Sequence, residues 1–384
     1  MNEQLNNGRP LRVCYFGTYR AAYTRNQILL AGLATRPDVE VIECHEPLWH
    51  GIEDRVAQAS GGWRNPRFWA RVAGVYWRLF RKHNQVPEYD VMLIGYPGQF
   101  DSYLGRLLTW RRRRPLALDI LMSLYLVAEE RGLTEKSPGT ARLIFALEKG
   151  GLRRPDLLIS ENFAYEGYYC RQYDLPPGRF RRVPHGADDR VFFPRPVQPA
   201  AHPFRITYHG TFLPSHGLDA IIGAAVALKE REDITFHFFG SGPEKARIMA
   251  IAAEAELQHV TFHGYVEQEE LLDSLAASHI CLGVFGTTKQ SNYTIQNKVW
   301  EGLALGRAVI SGDSAVVREA LVPGEHIWLV PREDPQALAE AILTLQADPE
   351  RRERMARAGY ERFLAGNSIA AIGELTERAL RSLL

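Results

Sequence analysis

The feature that most constrains this chain is a repeated alternation. Short β-rich apolar runs are separated by stretches of helix length. In the first half the runs are Leu11–Gly17, Val39–Cys44, Val91–Tyr96, Leu116–Leu121, Leu157–Ser160 and Phe180–Pro184. In the second half they are Phe204–His209, Thr235–Phe239, Val260–Phe262, Ile280–Phe285, Ala308–Ser311 and Ile327–Val330. A strand that is apolar on both faces needs a helix layer on each side, which is the arrangement of a parallel α/β sheet. Pro184, Pro194, Pro196, Pro199 and Pro203 interrupt the pattern at its middle. The expected organisation is therefore a first domain over 1–185, a linker over 186–203, a second domain over 204–365, and a C-terminal helix over 366–384 that packs back on the first domain. The fold class is α/β, with two Rossmann-like doubly wound domains facing a central cleft. Ligands of such sheets lie beyond the carboxyl ends of the strands, so function is sought in the loops there.

Composition narrows the classes. With 46 basic and 45 acidic residues the net charge is +1, which gives no bulk attraction for nucleic acid. The four cysteines, Cys14, Cys44, Cys170 and Cys281, are far apart and sit in apolar runs, so neither a metal knuckle nor a CxxC pair is expected. Met1–Pro10 is polar and no apolar run reaches membrane-spanning length. These features predict a cytoplasmic protein.

Two loops stand out in the second half. Tyr208–Gly217 (YHGTFLPSHG) leaves a strand, turns on glycines and enters a helix near Leu218. Amides at such a turn can hold phosphate, and a plain connecting loop is the alternative. Gly286–Gly306 (GTTKQSNYTIQNKVWEGLALG) runs from a strand into a helix expected to open around Thr294–Asn297. Free amides there would attract a diphosphate, Lys289 and Lys298 would add charge, and Glu301 could accept two ribose hydroxyls. A solvated ion pair is the competing reading.

In the first half the loop Gly17–Arg25 follows the first strand and holds the acceptor-side candidates Tyr19, Arg20 and Arg25; the two arginines could face a phosphate or an anionic acceptor, or be solvated on a surface loop. Asp119 ends the fourth strand, where it could bind sugar hydroxyls or act as a base, or cap a helix instead. His185 begins the linker and is either structural or near ligand. Trp63–His83 carries six basic and no acidic residues, with Trp69, Val72, Tyr76 and Leu79 at helical spacing. Such a helix can lie on an anionic bilayer, or pack against the core with a solvated basic face. Binding there would make the protein peripheral on the inner face of the cell membrane. Arg111–Arg114 add a further basic run.

The ordered series HGTFLPSHGLD, FHFFGSGPEKARI, VTFHGYVEQEEL, NKVWEGLALGRAVISGDSAVVRE and IWLVPREDPQALAEAI resembles the C-terminal half of retaining glycosyltransferases of family 4, which have the GT-B fold. RVCYFGTY and VPHGADDRVFFP extend the resemblance loosely to the first half. The resemblance implies a UDP- or GDP-linked sugar as donor, a glycan or lipid-linked acceptor, retention at the anomeric carbon, and no metal or other cofactor. It places Glu301 on the ribose and the amides of Thr294, Ile295, Gln296 and Asn297 on the diphosphate. Gly210, Thr211 and Gly217 fall near the same phosphates, Gly264 and Tyr265 near the base, and Gly17 at the donor side of the first domain. Lys298 and Asp119 are the catalytic candidates. Three departures mark a divergent subfamily: Tyr293 replaces the family's earlier glutamate, Thr211 its arginine and His216 its lysine. Lys289 and Lys298 are expected to supply the missing charge, and His216 a hydrogen bond. A sugar-nucleotide epimerase and an inactive nucleotide-sugar-binding protein are the rival readings. A nicotinamide enzyme ranks below them, because FGTYRAAY lacks the GxGxxG turn.

Overall fold

A computed structural model describes residues 9–48, 66–197, 199–200 and 202–384. Trp63 and Arg64, at the head of the basic segment, lie outside the described residues. Contacts divide the chain into two units, Met1–Pro184 with Ile369–Leu384, and His185–Ser368.

The first unit is built on a six-stranded sheet of order β2-β1-β3-β4-β5-β6. Its strands are β1 (Leu11–Gly17), β2 (Val39–His45), β3 (Val91–Ile94), β4 (Leu116–Asp119), β5 (Leu157–Ser160) and β6 (Phe180–Arg182). Every pairing is parallel, with Leu11 opposite Val39 and Val13 opposite Val91. The inner strands β3, β4 and β5 are buried at every residue, whereas the edge strand β2 is half-buried over most of its length. That difference is why the inner runs read as continuously apolar. The C-terminal helix Ile369–Arg381 belongs here. Its Ile369, Ile372 and Leu380 share a core with Leu29 and Leu33 of the helix Thr24–Ala34, and Arg36 pairs with Glu377 at 2.7 Å.

The second unit repeats the plan in the order β12-β11-β10-β7-β8-β9. The strands are β7 (Phe204–His209), β8 (Ile234–Phe239), β9 (Val260–His263), β10 (Ile280–Leu282), β11 (Ala308–Gly312) and β12 (Trp328–Val330), again all parallel. The proline-rich segment expected as a linker packs within this unit: Arg195 bonds both Glu269 and Asp273. Among the described residues no helix is long and apolar enough to cross a membrane.

Candidate functional site

The site in the second unit is built where the loop after β7 meets the helix Asn297–Ala304. That helix starts later than the sequence pattern suggests. A short helix, Lys289–Tyr293, comes first, and the amide of Thr294 is bonded to the Gln290 carbonyl at 3.1 Å. Thr294 is thus removed as an anion donor. Gln296 is the residue before the helix, and it caps no amide with its side chain. The amides of Ile295, Gln296, Asn297 and Lys298 have no backbone acceptor among the described residues. Four unpaired donors at a helix start carry the positive end of its dipole. The Asn297 side chain is engaged elsewhere, 2.5 Å from His185 Nε2, so His185 braces the helix start.

Lys298 is buried, yet no carboxylate among the described residues bonds it. Its Nζ lies 3.0 Å from the Tyr208 hydroxyl and 3.1 Å from His216 Nδ1, and 4.2 Å above the Tyr208 ring. Burial pushes the ammonium down to about 7, and the nearby Glu301 charge opposes that shift. His216 is pushed down to about 2, chiefly by burial and then by Lys298. It is therefore a neutral acceptor that orients the lysine, and its Nδ1 also lies 2.7 Å from the Tyr208 hydroxyl. Gly210 makes room for the ammonium: at φ +123° it adopts a backbone few side chains tolerate, and a Cβ there would stand 3.2 Å from Lys298 Nζ. The amides of Gly210 and Gly217 are already bonded, to Phe239 and Pro214, whereas Thr211 has no such acceptor among the described residues. The two glycines shape the loop, and Thr211 keeps a donor.

Glu301, one turn into the helix, is mostly buried and receives a hydrogen bond from His209 Nε2 at 2.6 Å. One carboxylate oxygen is thereby occupied, so the sequence reading of two free acceptors is narrowed. His209 and Tyr208 were not among the sequence candidates. They end an apolar strand, where polar atoms read as incidental. Tyr293 is half-buried at the end of the short helix, Lys289 is exposed at its head, and Tyr265 stands exposed beyond β9 with Gly264 before it.

The first unit corrects several expectations. Asp119 and Arg25 are both fully buried and pair with each other at 2.8 Å, and Arg25 also bonds the Pro184 carbonyl. Neither offers a free charge to a base step or an acceptor. Tyr19 is buried, and its hydroxyl donates to Glu43 at 2.6 Å. Gly17 is packed against Asp101, which holds the Thr18 amide at 2.7 Å. Of the acceptor-side residues Arg20 remains half-exposed and pairs with no carboxylate among the described residues; it lies over Tyr23.

The model of the family described as Glycosyl transferases group 1 matches residues 203–348. A protein of Escherichia coli (strain K12) named as a colanic acid biosynthesis glycosyltransferase, WcaL, is 26% identical over 50% of this chain and 47% of its own. The alpha-D-kanosaminyltransferase of Streptomyces kanamyceticus is 25% identical over 62% of this chain and 58% of its own. The chain thus spans about half the length of the curated relatives it matches. Among solved structures, sucrose-phosphate synthase from Thermosynechococcus elongatus superposes with a TM-score of 0.70 at 19% identity, covering 98% of this chain and 99% of that one. Anabaena HepE in complex with UDP gives 0.69 at 15% identity, covering 97% and 100%. Residues 203–348 therefore resemble the group 1 glycosyltransferases, in a chain whose two sheets have the GT-B fold.

Proposed function

We propose that the chain transfers a sugar from a nucleotide-diphosphate donor to a hydroxyl acceptor with retention of configuration. The observation that carries this reading is the pairing of four unbonded amides at Ile295–Lys298 with the buried, carboxylate-free ammonium of Lys298. Departure of a nucleoside diphosphate gathers negative charge on its oxygens, and fixed donors in a dry site stabilise that charge most. Thr211 adds a further amide to the same loop. Glu301, held by His209, accepts a ribose hydroxyl through its remaining oxygen. A departing diphosphate oxygen takes the acceptor proton, so the protein needs no separate base, consistent with the burial of Asp119. HepE complexes with UDP and with UDP-glucose support a uridine donor over a guanosine one.

The test is turnover of a panel of UDP- and GDP-sugars with and without acceptors. Acceptor-dependent release of nucleoside diphosphate supports transfer; conversion of the sugar with no acceptor supports the epimerase reading. Glu301→Gln is expected to weaken UDP binding about tenfold by calorimetry while leaving pyrophosphate affinity within about twofold, because its contact is to the ribose. An equal loss for both ligands would refute that placement.

A lipid-linked acceptor is the form of acceptor this reading favours. In the helix Pro66–His83, Trp69 and Trp77 are 48% and 62% exposed, although the spacing pattern had put Trp69 on the apolar side with Tyr76 and Leu79. Trp77 stacks on Phe80, whose ring also lies under Arg111, and Trp110 beside it is 73% exposed. Exposed indoles among Arg81, Arg111 and Arg113 suit the headgroup layer of an anionic bilayer. In flotation, binding to vesicles containing anionic lipid is expected to fall at least fivefold in Trp77→Ser/Trp110→Ser. Equal flotation of both proteins, or none by either, would remove the membrane.

A further inference from the structure

The second unit has another cavity at the opposite end of its sheet. It measures about 640 Å³ and opens at the amino ends of β7, β10 and β11, between Phe204, His279 and Arg307. The six-residue strand β7 separates it from the loops around Lys298 by about 20 Å. It belongs to no part of the donor reading above.

Its lining carries three arginines against one carboxylate, Glu353. Arg307, Arg352 and Arg357 line it, and none of the three forms an ion pair among the described residues. Arg307 is half-buried, and its Nε is sealed from solvent with no acceptor among the described residues. Its terminal nitrogen makes one long contact, 3.5 Å, to the Val197 carbonyl. Arg352 bonds the Leu345 carbonyl and lies 5.1 Å over Phe204, which stacks on His279. Burial pushes both Arg307 and Arg352 below the usual guanidinium range. Glu353, exposed at the margin, is the carboxylate of the lining. The helix Pro349–Gly366 starts here as well, with Pro349 in the wall. Half-buried guanidinium groups without a bonded carboxylate are costly, and their planar fork matches phosphate oxygens two at a time. The helix start itself is capped by the Asp348 carboxylate, which accepts from the Arg351 amide at 2.9 Å, so the arginines carry the attraction.

We propose that this cavity binds a small phosphorylated anion, with Arg307, Arg352 and Arg357 as its charged contacts. The shared chemistry is a phosphoryl group, either free or carried on a sugar.

The experiment is calorimetry on the full chain carrying Lys298→Met, which weakens the donor loops, so that the added arginine substitutions report this cavity. Pyrophosphate and glucose 6-phosphate are the probes. At least one is expected to bind, and adding Arg307→Gln or Arg357→Gln is expected to weaken it at least fivefold. Tighter pyrophosphate assigns a free anion, and tighter glucose 6-phosphate assigns a sugar phosphate. Arg357 is exposed, so its substitution spares the fold, and an unchanged melting temperature of Arg357→Gln verifies this. Absence of binding by both probes, or affinity untouched by both substitutions, overturns the site.

Discussion

Asp119→Ala is expected to destabilise the first unit by about 3–5 kcal/mol, because it leaves the Arg25 guanidinium charged and fully buried with its main partner gone. A loss of that size is a large share of the usual stability of a domain. The measurement is urea unfolding at neutral pH, followed by a signal from the first unit. Arg25→Met/Asp119→Leu is expected to recover most of the loss, since replacing both charges by apolar groups removes the unpaired cation. The same pair would behave differently if Asp119 acted on substrate. Asp119→Ala would then abolish turnover while leaving the unfolding midpoint unmoved.

Lys298→Met should weaken UDP binding by about 10- to 100-fold at pH 6.5, the range for losing a charge-assisted contact to a diphosphate. The pH dependence is the sharper readout. The free ammonium titrates at about 7, and bound diphosphate favours its charged form. Above pH 7 the free protein gives up that proton, so UDP affinity should fall by up to tenfold per pH unit. Below pH 7 this slope should vanish. The polar groups around Nζ are Tyr208, His216 and Glu301 with its partner His209. His216 stays neutral across this range, and burial pushes Tyr208 above its ordinary value. Lys298→Met should abolish the slope. Stability without ligand should move the other way. The unfolded lysine titrates at its ordinary 10.5 and the folded one at about 7. Between these values the unfolded chain binds more protons, so this residue's effect on stability improves as pH rises. At pH 6.5 the charged lysine is buried at a cost, and Lys298→Met should melt higher than the parent. A lower melting temperature together with unchanged UDP affinity would contradict both halves of the argument.

The architecture was legible because it rests on local pattern. Each of the twelve apolar runs forms a strand. Strand ends were less legible at the carboxyl side: Val91–Tyr96 and Ile280–Phe285 stop pairing at Ile94 and Leu282. The apolar character continues there into loops that remain buried. The helix opens at Asn297 rather than at Thr294 because Lys289–Tyr293 forms a turn of its own, capped by Thr288. Lys298 and Glu301 stood out as polar residues on an apolar helix, but their partners did not. Tyr208 and His209 meet them across some ninety residues of chain, a separation no periodicity reports. Arg25 and Asp119 lie 94 residues apart, and each alone resembled a ligand-facing charge.

The central claim is tested most directly by a crystal structure of the protein with UDP. The account predicts the β-phosphate within about 3 Å of the Gln296, Asn297 and Lys298 amides and of Lys298 Nζ, with a ribose hydroxyl on Glu301. UDP bound at the amino ends of the same sheet or within the first unit, with Lys298 still held only by Tyr208 and His216, would contradict it.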